Sequence, residues 1–78
     1  MDDRKSKIRQ FVAKFLRGHQ LEDGEDFFRL GFNSLFALQL VQFVEKEFAI
    51  TIDDDDLDID NFRTVDAVAA LVERKTES

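Results

Sequence analysis

The apolar residues between positions 34 and 48 recur at intervals of three and four, the spacing of one face of an α-helix. The residues on this face are Ala37, Leu40, Val41, Val44 and Phe48, and Phe36 and Phe43 lie beside it. The pattern predicts an amphipathic helix from about Ser34 to Phe48. Any fold of this chain must bury that stripe, so the other segments have to pack around this helix.

Two further segments have helical periodicity. Residues 4–17 predict a helix that stops at Gly18. Its apolar face comprises Ile8, Phe11, Val12, Phe15 and Leu16. A last helix is expected after Thr64, a predicted N-cap, with Arg74 and Lys75 in its final turn, where positive charge is favourable. Its apolar face comprises Val65, Val68, Ala69 and Val72.

The segments between the predicted helices do not contain enough strands to form a β-sheet. Residues 49–52, Ala-Ile-Thr-Ile, alternate as a strand would, but a single short strand has nothing to pair with, so we expect an extended, half-buried connection. Leu57, Ile59 and Phe62 can form a short helix or turn. We therefore predict an all-α fold, a small antiparallel four-helix bundle of three main helices and one short helix, in a single domain over residues 1–78.

Charge and cysteine content narrow the function. The chain has 78 residues, a net charge of −6 and no cysteine, so any thiol chemistry needs a sulfur from elsewhere. The negative charge repels nucleic acid and anionic membranes and favours basic protein partners. No apolar signal core follows Met1 and no run is long enough to span a bilayer. We expect a cytoplasmic monomer.

The run Gly31-Phe32-Asn33-Ser34-Leu35 delivers a hydroxyl to the start of the central helix. Asn33 and Ser34 are both good N-cap residues. A helix N-terminus also carries partial positive charge and free N–H groups, so a phosphate on Ser34 would be well tolerated there. Simple capping by Ser34 is the alternative. The preceding loop is rich in apolar residues, and we expect residues 27–32 to pack on the core and fix the position of Ser34.

One side of the central helix does not face the predicted core. Leu35 and Leu38 lie there, one turn apart and beside Ser34. The polar residues of the same side include Gln39, Gln42 and Glu45. Exposed leucines taken singly need no explanation, but two beside a candidate site favour a docking face for a partner.

Nothing in the sequence points to catalysis. His19 is the only histidine, so neither a metal cluster nor a base for Ser34 is indicated. The acidic residues from Asp53 to Asp60 lack the glycine and the glutamate of a calcium loop and predict a solvated turn. We expect a protein that is not an enzyme and holds no metal.

A helix, a long loop ending in Gly-x-Asn-Ser-Leu, a second helix with a leucine and glutamate face, an Ile-x-Ile connection followed by acids and a Thr-capped helix make up this chain. In this combination it resembles an acyl carrier protein over nearly its whole length. The resemblance implies that Ser34, between Asn33 and Leu35, receives 4′-phosphopantetheine from coenzyme A. This arm would supply the missing thiol and hold an acyl group as a thioester.

The resemblance also implies partners. They are a phosphopantetheinyl transferase and the acyl-loading, tailoring and acyltransferase or synthase enzymes that the carrier serves. The partner-binding face in such carriers corresponds here to Leu35, Leu38, Gln39, Gln42 and Glu45. Asn33 departs from the usual aspartate, which predicts a weaker ion pair with a basic residue of the modifying enzyme.

Three longer runs, residues 31–41, 43–46 and 60–67, look most like one subgroup of carriers. These are the discrete carriers on which methoxymalonyl, hydroxymalonyl or aminomalonyl units are built for polyketide or hybrid polyketide and nonribosomal peptide synthesis. Asn-Ser-Leu also occurs in that subgroup. Two alternatives stay open: a peptidyl or D-alanyl carrier, which differs in its cargo, and an unmodified helical module that binds a partner through Leu35 and Leu38.

Overall fold

The computed structural model describes residues 3–16 and 20–77, and three α-helices make up most of them. They are α1 (Asp3–Ala13), α2 (Ser34–Phe48) and α3 (Val65–Glu77). Short 3₁₀ helices lie between them at Phe27–Leu30, Asp54–Asp56 and Ile59–Phe62. The described residues contain no strand, and the prediction of a small all-α bundle is confirmed. The short helix expected around Leu57, Ile59 and Phe62 is present as the 3₁₀ helix Ile59–Phe62.

α1 contacts both α2 and α3, and one apolar cluster joins all three helices. Its fully buried members are Ile8, Val12, Phe27, Leu40, Val44, Val65, Val68, Leu71 and Val72. No polar or charged side chain is buried among the described residues. Full burial of one such side chain contributes roughly 1.5–3 kcal/mol to the stability of the fold. The packing of the apolar faces of the three helices against one another therefore determines the fold. Within the same residues, no helix is both long and apolar enough to cross a membrane.

Two details of the predicted α2 stripe differ in the structure. Phe36, expected beside the stripe, is buried in the core, whereas Ala37 and Phe48, expected on the stripe, are half-buried. The loop before α2 explains the first difference, because its aromatic rings enclose Phe36.

α1 ends earlier than its periodicity predicts. The predicted helix covers residues 4–17, but α1 stops at Ala13. The N–H groups of Lys14, Phe15 and Leu16 instead bond to the carbonyls three residues before them, which tightens the chain into a turn. As a result Phe15, predicted on the buried face, is 43% exposed. Gly18, the predicted stop, lies outside the described residues, as does His19.

The last helix begins as predicted. The Ala67 N–H donates to Thr64 Oγ1 at 2.9 Å, so Thr64 is the N-cap of α3. The connection after α2 is also as expected, since Ile50 and Ile52 are half-buried against the core without forming a strand.

The acidic turn is tied down at one point by α3. Lys75 Nζ lies 2.9 Å from Asp53 Oδ2 and 2.7 Å from Asp56 Oδ2. The hydrogen bond from Lys75 lowers the pKa of Asp56 below its ordinary value, and the bond to Asp56 raises the pKa of Lys75. The predicted solvated turn is therefore exposed along most of its length but anchored at its start.

The Lys75→Gln variant should lose this anchor and its pH dependence. Because the pKa of Asp56 is lowered on folding, the anchor stabilises fully above about pH 3.8 and weakens as pH falls through the lowered pKa. The raised pKa of Lys75 keeps the anchor intact below about pH 10.5, and it weakens as pH rises through the raised pKa. Urea unfolding should therefore show a stability difference between the two proteins that is largest at intermediate pH.

The matched control is Lys14→Gln, because Lys14 is exposed and has no ion-pair partner among residues 3–16 and 20–77. A difference that stays constant across the pH range, or one that Lys14→Gln reproduces, would contradict the role of Lys75.

Candidate functional site

The chain enters α2 through a left-handed glycine. Gly31 has φ +98°, a conformation that side chains with a Cβ rarely adopt. It caps the 3₁₀ helix Phe27–Leu30, where its N–H donates to the carbonyls of that turn. The chain then reverses into Asn33, which is extended. This short path sets the direction in which α2 begins.

Asn33, and not Ser34, caps α2. The Phe36 N–H donates to Asn33 Oδ1 at 3.2 Å, and the Ala37 N–H donates to the Asn33 carbonyl at 3.1 Å. Such a cap contributes about 1 kcal/mol to helix stability. Ser34 is the first helical residue and is exposed. The Ser34 hydroxyl therefore lies at the N-terminus of the helix without being its cap. Capping alone does not account for a serine at this position.

Aromatic packing fixes the loop that precedes Ser34. The ring of Phe32 stacks on Phe36 with centroids 4.0 Å apart and meets Phe27 edge-on at 6.2 Å. Phe27 is fully buried, and Phe28, Leu30 and Phe32 are half-buried. The prediction that residues 27–32 pack on the core is confirmed for Phe27 and Phe32, the residues of this segment that join the apolar cluster.

A second set of contacts ties the same loop to the start of α3. The Phe27 N–H donates to the Arg63 carbonyl at 2.7 Å. Asp26 Oδ1 accepts from the Phe28 N–H at 2.8 Å, while Asp26 Oδ2 lies 3.5 Å from Arg63 Nε. Arg63 Nη1 is also 3.2 Å from Asp60 Oδ1. Arg63 therefore links the 3₁₀ helix before Ser34 to the 3₁₀ helix before α3.

An apolar groove of about 240 Å³ opens beside Ser34. It is lined by Phe28, Ser34, Ala37, Leu38, Val41, Leu57, Asp58, Ile59 and Phe62. Leu57 and Ile59 were expected to form a short helix or turn, and in the structure both are also exposed at the edge of this groove. Two apolar residues inside an acidic run were the signal available in the sequence, but which face of α2 they meet depends on the tertiary fold.

Four of the five residues predicted to form a partner face are exposed on α2. Leu35 is 62% and Leu38 55% exposed, and Gln39 and Gln42 are exposed on the same helix. Glu45 differs, because it is half-buried and its Oε2 accepts from the Ile52 N–H at 2.9 Å. The Glu45 carboxylate thus holds the chain after α2, a structural role that its position on the helix surface did not indicate.

The described residues contain no group of three or more histidine, cysteine or carboxylate side chains arranged to hold a metal ion. What this region offers is an exposed hydroxyl at a helix N-terminus, an apolar groove beside it and two exposed leucines.

A family model described as a phosphopantetheine attachment site matches residues 6–72. The chain belongs to this family. Domains of the family attach 4′-phosphopantetheine and act as acyl carriers, not as enzymes. The resemblance to acyl carrier proteins is therefore confirmed at the level of the family. No curated protein matches the sequence at a significant level.

Solved structures of carriers have the same fold. An acyl carrier protein from Thermotoga maritima is 28% identical, with a TM-score of 0.71 over 92% of this chain and 85% of that one. Two structures of Bradyrhizobium japonicum glycine:[carrier protein] ligase complexed with its carrier protein also match. The complex with glycylated carrier protein gives 20% identity and a TM-score of 0.77 over 90% of this chain and 99% of the matched chain. The complex with a glycyl adenylate analogue gives 22% identity and a TM-score of 0.75 over 97% of both chains.

The Arg63→Gln variant of this carrier should loosen the loop before Ser34. Its ion pairs are partly exposed, so their loss is worth at most about 1 kcal/mol, which corresponds to a two- to fivefold rise in local opening. The exchange of the Phe28 amide hydrogen, measured by NMR, should accelerate by that factor.

The Asp60→Asn variant is the control, because it removes one contact of Arg63 and leaves Asp26 in place. Equal acceleration in both variants, or none in Arg63→Gln, would show that the contact between Asp26 and Arg63 does not hold the loop.

Proposed function

We propose that Ser34 is the residue of this carrier that bears the 4′-phosphopantetheine arm. One observation carries the proposal: Asn33 supplies the N-cap of α2, and this leaves the Ser34 hydroxyl exposed at the helix N-terminus. A serine that was itself the cap would have its oxygen turned toward the backbone. Ser34 is thus accessible to a modifying enzyme.

The surroundings of Ser34 fit a phosphodiester. Asp58 lines the groove beside Ser34, but no acidic residue lies in the first turn of α2 itself, so no carboxylate of that turn repels a phosphate. The partial positive charge at the helix N-terminus favours one. The bound arm would supply the thiol on which an acyl group is held. Phe28, Leu38 and Ile59 line the apolar groove beside Ser34 and can shield apolar parts of the arm or its cargo from water.

Leu35, Leu38, Gln39 and Gln42 are the proposed contact surface for the modifying and acyl-transferring enzymes. The two leucines stand next to Ser34, so an enzyme that covers them also reaches the hydroxyl. Glu45 contributes by holding the chain after α2 through Ile52, and direct contact with a partner would compete with that bond. Partners are a phosphopantetheinyl transferase followed by acyl-loading, tailoring and acyltransferase or synthase enzymes.

For the pathway, we propose extender-unit formation in polyketide or hybrid polyketide and nonribosomal peptide synthesis, in the cytoplasm. The support is the resemblance of residues 31–41, 43–46 and 60–67 to carriers of methoxymalonyl-type units. The second candidate is an aminoacyl carrier, of the peptidyl or D-alanyl kind. It is favoured by the similarity in fold to a carrier protein that was crystallised in its glycylated form.

The Ser34→Ala variant should fold normally and accept no arm. Intact mass spectrometry before and after incubation with coenzyme A and a broad-specificity phosphopantetheinyl transferase should show the mass of one arm added to the parent chain only. The control Ser6→Ala, which removes a serine of α1, should be modified like the parent. An arm on Ser34→Ala would place the attachment elsewhere, and no arm on the parent would favour an unmodified interaction module.

The cargo can be tested on the protein once it carries the arm. Glyceryl-type or malonyl-type donors with their loading enzymes should acylate it, whereas glycine and D-alanine with carrier-protein ligases should not, as read from the mass of the acylated product. Aminoacylation without acylation by the other donors would reverse the order of the two candidates and leave the Ser34 assignment intact.

A further inference from the structure

A second exposed surface lies between α1 and α2, away from the groove beside Ser34. Two shallow depressions meet here and share the side chains of Phe11 and Phe43. The first is lined by Phe11, Phe15, Gln39, Gln42, Phe43 and Lys46. The second is lined by Lys7, Gln10, Phe11, Lys14, Phe43 and Glu47. We call the combined surface the aromatic groove.

The floor of the aromatic groove consists of aromatic rings that pack against one another. The rings of Phe11 and Phe43 stack with centroids 4.3 Å apart. Phe15 meets Phe11 edge-on at 5.4 Å and Phe36 at 5.2 Å, so it is held in place although it is 43% exposed. Exposed aromatic rings that are fixed by their neighbours lose little conformational freedom when a partner covers them, which favours binding.

The edges of the aromatic groove are basic, against the charge of the chain as a whole. Lys14 and Lys46 are exposed, and neither has an ion-pair partner in the part of the chain that the structure describes. The carboxylate at this edge, Glu47, is neutralised by Lys7 at 3.2 Å. In a protein of net charge −6, an apolar surface flanked by two unpaired lysines selects for a ligand of opposite charge.

We propose that the aromatic groove binds an acidic amphipathic segment of a partner protein. Apolar side chains of that segment would cover Phe11, Phe15 and Phe43, and its carboxylates would pair with Lys14 and Lys46.

A segment bound here would cover Gln39 and Gln42, which also belong to the proposed contact surface beside Ser34, but it would leave Leu35, Leu38 and Ser34 uncovered. The proposal does not depend on which residue bears the arm.

Two other ligands would combine apolar groups with negative charge and so could also bind the aromatic groove. Leu57 and Ile59 are exposed among aspartates, so a second copy of the chain could offer its own acidic segment to the aromatic groove. The repulsion between two chains of charge −6 disfavours that pairing. An anionic membrane would also attract lysines and aromatic rings, but it would have to approach a strongly acidic protein.

The test uses the full chain, labelled with ¹⁵N, and a synthetic amphipathic helix with leucines on one face and glutamates on both flanks. The same helix with lysine in place of every glutamate is the control peptide. We expect the glutamate peptide to shift the amide signals of Phe11, Phe15 and Phe43. Binding should weaken about tenfold in the double variant Lys14→Glu/Lys46→Glu and weaken with added salt, because the contacts are charged and exposed.

The double variant Arg29→Glu/Arg74→Glu changes the net charge equally at two exposed positions outside the aromatic groove, and it should bind the glutamate peptide like the parent. Absence of shifts in the aromatic groove, or equal binding of the lysine peptide there, would overturn the proposal. So would self-association in sedimentation that Lys14→Glu/Lys46→Glu abolishes, or binding of phosphatidylserine vesicles in preference to the peptide.

Discussion

The hydrogen bond from the Phe36 N–H to Asn33 Oδ1 determines what Ser34 is free to do. A helix begins with N–H groups that have no acceptor inside the helix, and a side chain at the preceding position usually accepts one of them. Asn33 does so here at 3.2 Å, one residue before Ser34. Because an amide oxygen suffices for this bond, the carboxylate usual at this position in acyl carriers is not needed to expose the serine.

Phe36 couples this cap to the rest of the fold. Its N–H donates to Asn33, while its ring is buried against Phe32 and Phe27. Phe27 in turn donates its N–H to the Arg63 carbonyl, just before α3. The start of α2 is therefore held by contacts from residues distant in the sequence. In a chain of 78 residues such contacts replace the larger core that would otherwise position a surface residue.

The sequence was sufficient wherever a local rule determined the structure. The spacing of Leu40 and Val44 predicted α2, and the hydroxyl of Thr64 predicted the start of α3. Features that depend on long-range contacts were not accessible. Periodicity extended the first helix to residue 17, although α1 ends at Ala13, and the pattern along α2 gave no sign that the Glu45 carboxylate accepts from the Ile52 N–H. A pattern along one helix records which residues share a face, but not what that face meets.

Net charge is misleading in the same way, because it averages over surfaces of opposite sign. A charge of −6 predicts basic partners, yet the exposed residues of α2 beside Ser34 are the uncharged Leu35, Leu38 and Gln39. Six of the seventeen acidic residues lie in residues 53–60, where Lys75 neutralises only the start of the turn. Between α1 and α2, Lys14 and Lys46 flank aromatic rings, and neither lysine has an ion-pair partner among the described residues. The sign of the electrostatic potential that a partner meets therefore depends on the side from which the partner approaches α2. Salt screens each charged surface beyond about 8–10 Å under physiological conditions. The two flanks of α2 can for this reason select different partners, although one helix separates them.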